Sequence, residues 1–207
     1  MTAADRYPGA LLALWMLALA VSAIGPHDRL TWFLEVAPVI FAIPLLVATR
    51  RRFPLTPLLY ALIFGHGLIL ILGGHYTYAR VPLGFWIQDA FDLARNHYDR
   101  IGHFAQGFIP AVLAREILLR KTALRQGKML FYLVVSVALA FSVFYELIEW
   151  WAAVALEQDA EQFLATQGDV WDSQWDMFMA MLGAIVALIA LSGVHDRQLD
   201  KLSGARD

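Results

Sequence analysis

Cysteine is absent from all 207 residues, which excludes disulfides, thiol nucleophiles and thiolate metal sites. Charge is scarce as well. Only 16% of residues are Asp, Glu, Lys or Arg, and the formal net charge is −2, so no global positive field points to nucleic acid. Internal repeats, low-complexity tracts and a second-domain boundary are also missing. What abounds is hydrocarbon: 59% of residues are hydrophobic and the mean hydropathy is +0.57, against about 45–50% apolar in soluble domains. The apolar residues come in runs rather than at a helical or strand period, which predicts one integral membrane domain, residues 1–207, of the all-α class.

A membrane span needs about 20 mostly apolar residues. Six runs qualify: residues 8–25, 32–49, 55–73, 101–119, 129–151 and 175–194. They predict a polytopic helical bundle of about six spans. Val21, Ser22 and Ala23 resemble a signal-peptide cleavage site, but the preceding segment pairs Asp5 with Arg6 and is weakly basic, so the first run is read as a retained span.

With both termini cytoplasmic, the inner segments hold Arg6, Arg50, Arg51, Arg52, Arg115, Arg120, Lys121, Arg125, Lys128, Arg197, Lys201 and Arg206, which is 12 of the 16 basic residues. Arg29, Arg80, Arg95 and Arg100 fall outside. The asymmetry matches the positive-inside rule and predicts a multi-pass protein of a bacterial inner membrane. Trp32, Trp86, Trp150, Trp151, Trp171 and Trp175 fall at or near the outer boundaries, where indoles favour the interface. Thirteen of the 18 acids lie on the outer side or at outer helix ends, among them a solvated run of Glu157, Asp159 and Glu161.

The first three spans read as apolar scaffold. Pro38 and Pro44 kink the second, Gly65 and Gly67 let neighbours approach the third closely, and His66 between them is a packed histidine or part of a proton path. In the outer segment, residues 74–100, a break at Gly73 and Gly74 precedes an amphipathic stretch from Phe85 to Leu93, read as an interfacial helix leading into the fourth span.

The last three spans bring ionisable groups to their outer ends. Asp99 and His103 share a helix face that Gln106 and Pro110 continue; Glu146 and Glu149 share another; Asp172 and Asp176 share a third, with Asp169 one turn earlier. At about 1.5 Å per residue, Glu146 sits roughly 25 Å above the start of its span, in the outer quarter of a core about 30 Å thick. His103 and Asp176 count to a similar depth. A carboxylate facing lipid there costs about 2.5–3.5 kcal/mol, so these groups are expected to face one another across a wet pocket.

Their repulsion is relieved by Arg100, Arg80, His103, a bound cation or protonation. Plain structural roles compete at each position. Asp99 with Arg100 reads as an interface ion pair, Glu149 as an acid reaching water beside Trp150, and Asp169, Asp172 and Asp176 as partners of a helix N-terminus. His75 and His97 are outer-loop histidines at the margin of the pocket.

The run NHYDRIGHFAQGF, with HYTYARVPLG, ELIEWW and TQGDVWDSQWDM, resembles the YjdF-like bacterial inner-membrane proteins, a family of unknown function, from about His75 to Gly183. More distantly, Asp99, Arg100, His103, Glu146, Asp172, Asp176 and Gly183 resemble the pattern of the VanZ-like group, with Glu149 where a glutamine is usual. The VanZ-like group is linked with lowered sensitivity to glycopeptide antibiotics, so that resemblance implies work on the cell envelope and no established reaction.

Three functions are consistent with these residues. One is an enzyme acting on an envelope lipid or lipid-linked precursor at the outer leaflet, by hydrolysis or transfer assisted by a divalent metal such as Zn²⁺, Mn²⁺ or Mg²⁺. Its catalytic residues are Glu146, Glu149 and His103, its metal ligands His103, Glu146, Asp172 and Asp176, and its substrate-binding residues Asp99, Arg100, Gln106, Trp150 and Trp175. The others are a proton-coupled transporter or flippase, and a non-catalytic envelope protein with a structural polar network. The inner halves of the last three spans offer few polar candidates, Ser136, Ser142, Arg115 and Glu116, a thin path for transport.

Overall fold

The computed structural model describes residues 3–156 and 167–204. Glu157, Asp159, Glu161 and Arg206 lie outside the described residues. The chain runs through α1 (Ala3–Ser22), α2 (Arg29–Thr49), α3 (Pro57–Tyr76), a 3₁₀ turn (Tyr78–Arg80), α4 (Pro82–Phe91), α5 (Tyr98–Lys121), α6 (Lys128–Leu156) and α7 (Asp172–Gly204). There is no strand among the described residues.

Local chemistry sets the helix ends. The Asp28 carboxylate accepts from the Thr31 N–H at 2.7 Å and caps α2; that backbone bond holds the Asp28 carboxyl below its usual range. Thr56 caps α3, with Pro57 at its first position. The first helix stops at Ser22, short of Gly25, which takes a left-handed φ of 64° in the following turn. The expected amphipathic segment is α4, opened by Pro82 and closed by a left-handed Asp92.

Among the described residues, four helical segments are long and apolar enough to cross a membrane, Arg29–Thr49, Pro57–Tyr76, Lys128–Ala155 and Asp172–Gly204, and Arg6–Ser22 is a shorter apolar helix. With 24 residues α5 is about 36 Å long, yet it carries Asp99, Arg100, Arg115, Glu116, Arg120 and Lys121. The bundle shields it, since α3, α6 and α7 all pack on it. Successive helices alternate in direction. We call "upper" the end where α1 and α3 finish and α2, α5 and α7 begin.

Small residues let α5 and α7 touch backbone to backbone. A side chain at Gly107 would overlap the Ala180 carbonyl, and one at Gly183 would overlap the Phe104 carbonyl. This is the usual device where lipid supplies no hydrophobic drive for helix pairing. Gly183→Val is expected to force the helices apart and to cost about 3 kcal/mol, read as a lower melting temperature in detergent; unchanged melting would contradict the contact. Of the two glycines expected to thin α3, only Gly67 does so, by receiving the flat face of Trp15. Gly65 has open space beside it, which corrects that expectation.

Below mid-bundle the core is dry, built from Leu55, Leu59, Ala111, Val112, Val134, Ala138, Ala184 and Leu188. At the lower end, a buried polar network ties three helices together. Glu116 and His195 are both fully buried. The Glu116 carboxylate accepts from the Thr56 N–H at 3.2 Å, from the Thr56 hydroxyl at 2.8 Å and from Arg120. Arg115 donates to His195 Nδ1 at 3.1 Å and to Asp196 at 2.7 Å. Because arginine only donates, His195 carries its proton on Nε2 and gives it to Glu116 at 3.0 Å.

Candidate functional site

The upper halves of α2, α3, α5 and α6 enclose a cavity of about 380 Å³. Its upper wall is polar: Glu35 from α2, Asp99, His103 and Gln106 from α5, and Tyr145 and Glu149 from α6. Its lower wall is apolar, with Pro38, Val39 and Ala42 facing Ile63, Leu70, Pro110 and Phe141, and with Trp15 and His66 among them. On α6 the lining residues Phe141, Phe144 and Ile148 are 61%, 54% and 40% exposed, so the cavity reaches the flank of the bundle.

His103 is the pivot of the upper wall, and its side chain is only 6% exposed. Nδ1 lies 2.9 Å from Gln106 Oε1, one helical turn on. With the amide oxygen as acceptor, a proton sits on Nδ1, and Nε2 faces Asp99 Oδ1 at 3.4 Å and Asp176 Oδ1 at 3.9 Å. A ring nitrogen facing two carboxylates is stable when it carries a second proton or when a cation sits between them. Those separations are long for hydrogen bonds. They approach the roughly 3.3 Å between two ligands on a tetrahedral ion with metal bonds of about 2.0–2.1 Å.

Two sets of ligand atoms each lie within 4.8 Å of one another, and they share the imidazole: Asp99, His103 and Asp176, and His103, Glu146 and Glu149. Glu146 Oε1 is 3.7 Å from Nδ1, and it is buried with no hydrogen-bond partner among the described residues.

Beside this cluster, and sharing Asp176 with it, is a second one in which two arginines meet three carboxylates. Arg95 reaches Asp169 at 2.9 Å and Asp172 at 2.7 Å; Arg100 reaches Asp169 at 3.0 Å, Asp172 at 3.2 Å and Asp176 at 3.3 Å. The Trp171 N–H, followed by the two guanidinium groups, holds the Asp169 carboxyl below its usual range. These bonds latch the start of α5 to the start of α7.

The sequence-derived candidates therefore divide. Asp99, His103, Gln106 and Glu149 line the cavity, and Glu146 and Asp176 join them through His103. Asp172, expected as a ligand, is held by both arginines and belongs to neither ligand set. Arg100 works in the latch, with its guanidinium carbon 5.5 Å from the centroid of the Trp175 ring. Trp175 and Trp150 are 49% and 59% exposed and line no part of the cavity. His75 bonds instead to the Ser22 carbonyl at 2.9 Å. His97 precedes α5, where burial, then Arg95 and Arg100, keep its pKa low.

Sequence reasoning missed two contributors. Glu35, 4% exposed, enters the cavity from α2; its signal was a lone acid inside an apolar run. Arg95 was passed over as a loop arginine, and only the fold sets it against α7.

A family model described as a predicted membrane protein, DUF2238, matches residues 7–197. The inner membrane protein YjdF of Escherichia coli (strain K12) is 57% identical over 183 residues, covering 88% of each chain. No solved structure matches.

Proposed function

The chain belongs to the DUF2238 family of predicted membrane proteins, and from that premise we propose a multi-pass inner-membrane protein that uses a divalent cation at His103 to bind and process an envelope amphiphile. The observation that carries the proposal is the convergence of His103 with Asp99 and Asp176, and with Glu146 and Glu149, at the polar end of a cavity whose other end is apolar.

An anionic head group entering beside Glu35, Asp99 and Glu149 alone would be repelled. A divalent ion on His103, Asp99 and Asp176 would offset the charge of the two aspartates and would polarise a phosphoryl or carbonyl oxygen. Gln106 is the outer partner that sets the tautomer of the ligating histidine. Glu146, with an unpartnered oxygen next to the imidazole, and Glu149 are the candidate general bases for activating water or a transferred hydroxyl. Exposed Phe141 and Phe144 at the flank let a chain enter sideways from the bilayer.

The metal part is tested by elemental analysis of protein purified from membranes without chelator. About one divalent ion per chain is expected for a site of this kind; protein that binds no added Zn²⁺, Mn²⁺ or Mg²⁺ sinks the proposal.

We propose further that the bundle makes six spans, with α5 among them, both termini in the cytoplasm and the cavity facing outward. The inner clustering of basic residues supports this orientation. Because the native chain has no cysteine, single cysteines report it directly. Asp89→Cys on α4 is expected to react with a membrane-impermeant maleimide added to spheroplasts, and Arg125→Cys only after lysis. The reverse pattern would invert the site. Transport is the weaker reading, because the apolar core separates the cavity from the closed Glu116–His195 network below.

A further inference from the structure

The apolar end of the cavity contains two polar atoms that the protein leaves unused. Trp15 is 4% exposed, and its indole Nε1, which can only donate, is buried without a partner among the described residues. His66 Nε2 is in the same condition. Both side chains line the cavity. The indole is set there by Gly67, the neighbour of His66, whose missing side chain makes room for the ring nitrogen. An orphaned donor in a low-dielectric wall is costly, and here the indole N–H borders one space with a second unpartnered nitrogen, His66 Nε2, which is a donor in its Nε2–H tautomer.

Depth along the helices relates this pair to the head-group end. His66 lies ten residues below the upper end of α3, and His103 five below that of α5. At about 1.5 Å per residue, these are about 15 Å and about 8 Å down. The second polar point is therefore about one lipid backbone deeper than the first, and hydrocarbon surrounds it.

We propose that Trp15 and His66 form a carbonyl-recognition point, and that the occupant is an acyl-ester lipid, with its phosphate at His103 and an ester carbonyl accepting from the indole N–H and the imidazole. A prenyl phosphate has no acceptor at that depth and leaves both nitrogens unsatisfied. This assignment rests on the amphiphile-binding role proposed above and specifies its substrate class.

The probe is a matched pair of lipids: a diacyl phosphatidylglycerol and its dialkyl-ether counterpart, which have the same head group and chain length and differ only in the carbonyls. Full-length protein is delipidated in detergent, offered both lipids in competition, and read by native mass spectrometry. The wild type is expected to retain the ester about tenfold over the ether, the value of one well-made hydrogen bond. Trp15→Phe and His66→Phe, which keep a ring in place, each bring the ratio toward one. Equal retention by the wild type, or an undiminished ratio in both variants, overturns the carbonyl assignment while leaving the amphiphile site standing. Retention of neither lipid by the wild type removes both.

Discussion

His103→Ala is expected to abolish divalent-ion binding, weakening it by at least about 100-fold, since loss of even an outer partner of a metal ligand costs 10–100-fold. The His103 imidazole is the shared member of both candidate ligand sets, so no rearrangement of the remaining carboxylates restores a nitrogen donor. The helical content should stay unchanged, because the side chain faces a cavity and makes one internal hydrogen bond, to Gln106. Further variants separate the two sets. If the ion sits on Nε2, Asp99→Asn and Asp176→Asn lose it, whereas Glu149→Gln keeps it and loses only turnover. Calorimetric titration with Mn²⁺ or Zn²⁺ reads all four. A His103→Ala protein that binds metal as tightly as the wild type would dismantle the site.

The second large effect is expected at the opposite end. Glu116→Ala takes the common acceptor from the Thr56 N–H and hydroxyl, from His195 Nε2 and from Arg120. Removing one partner of a buried charged network leaves the others uncompensated, which costs about 3–5 kcal/mol. For a chain of this size, the melting temperature in detergent should fall on the order of 10 °C. Metal binding at the remaining folded fraction should not change, because the dry core lies between the network and His103. A loss within about 2 °C would mean that the network is not holding α3, α5 and α7 together.

The residues that were legible in sequence share one property: their signal is local. Runs of apolar residues marked α2, α3, α6 and α7, and α1 less fully, because hydrocarbon solvation demands length and apolarity within a single segment. Asp99 and His103 announced a shared face because four residues make one turn. Depth counting even put His103, Glu146 and Asp176 in one layer, and the structure places the imidazole within 3.9 Å of both carboxylates. The expected failures were equally local in origin. Asp172 looked like Asp176 because both sit on one helix face, and nothing nearby in sequence says that Arg95 and Arg100 both hold the first while the second meets Arg100 and His103. Gly65 looked like Gly67 because spacing cannot tell which of two glycines has Trp15 opposite.

The amino-acid sequence alone determined that this protein lives in a bilayer as a helical bundle and that its acids crowd toward one end, since transfer free energy and helical geometry act on each segment by itself. Tertiary structure alone decided which carboxylates meet the arginines and which meet the His103 imidazole, that Glu35 joins from α2, and that Trp15 and His66 each leave a nitrogen in one cavity without a partner among the described residues. Those outcomes depend on which helix faces are opposed, and that is set by close approach at Gly107, Gly183 and Gly67 between segments far apart in the chain.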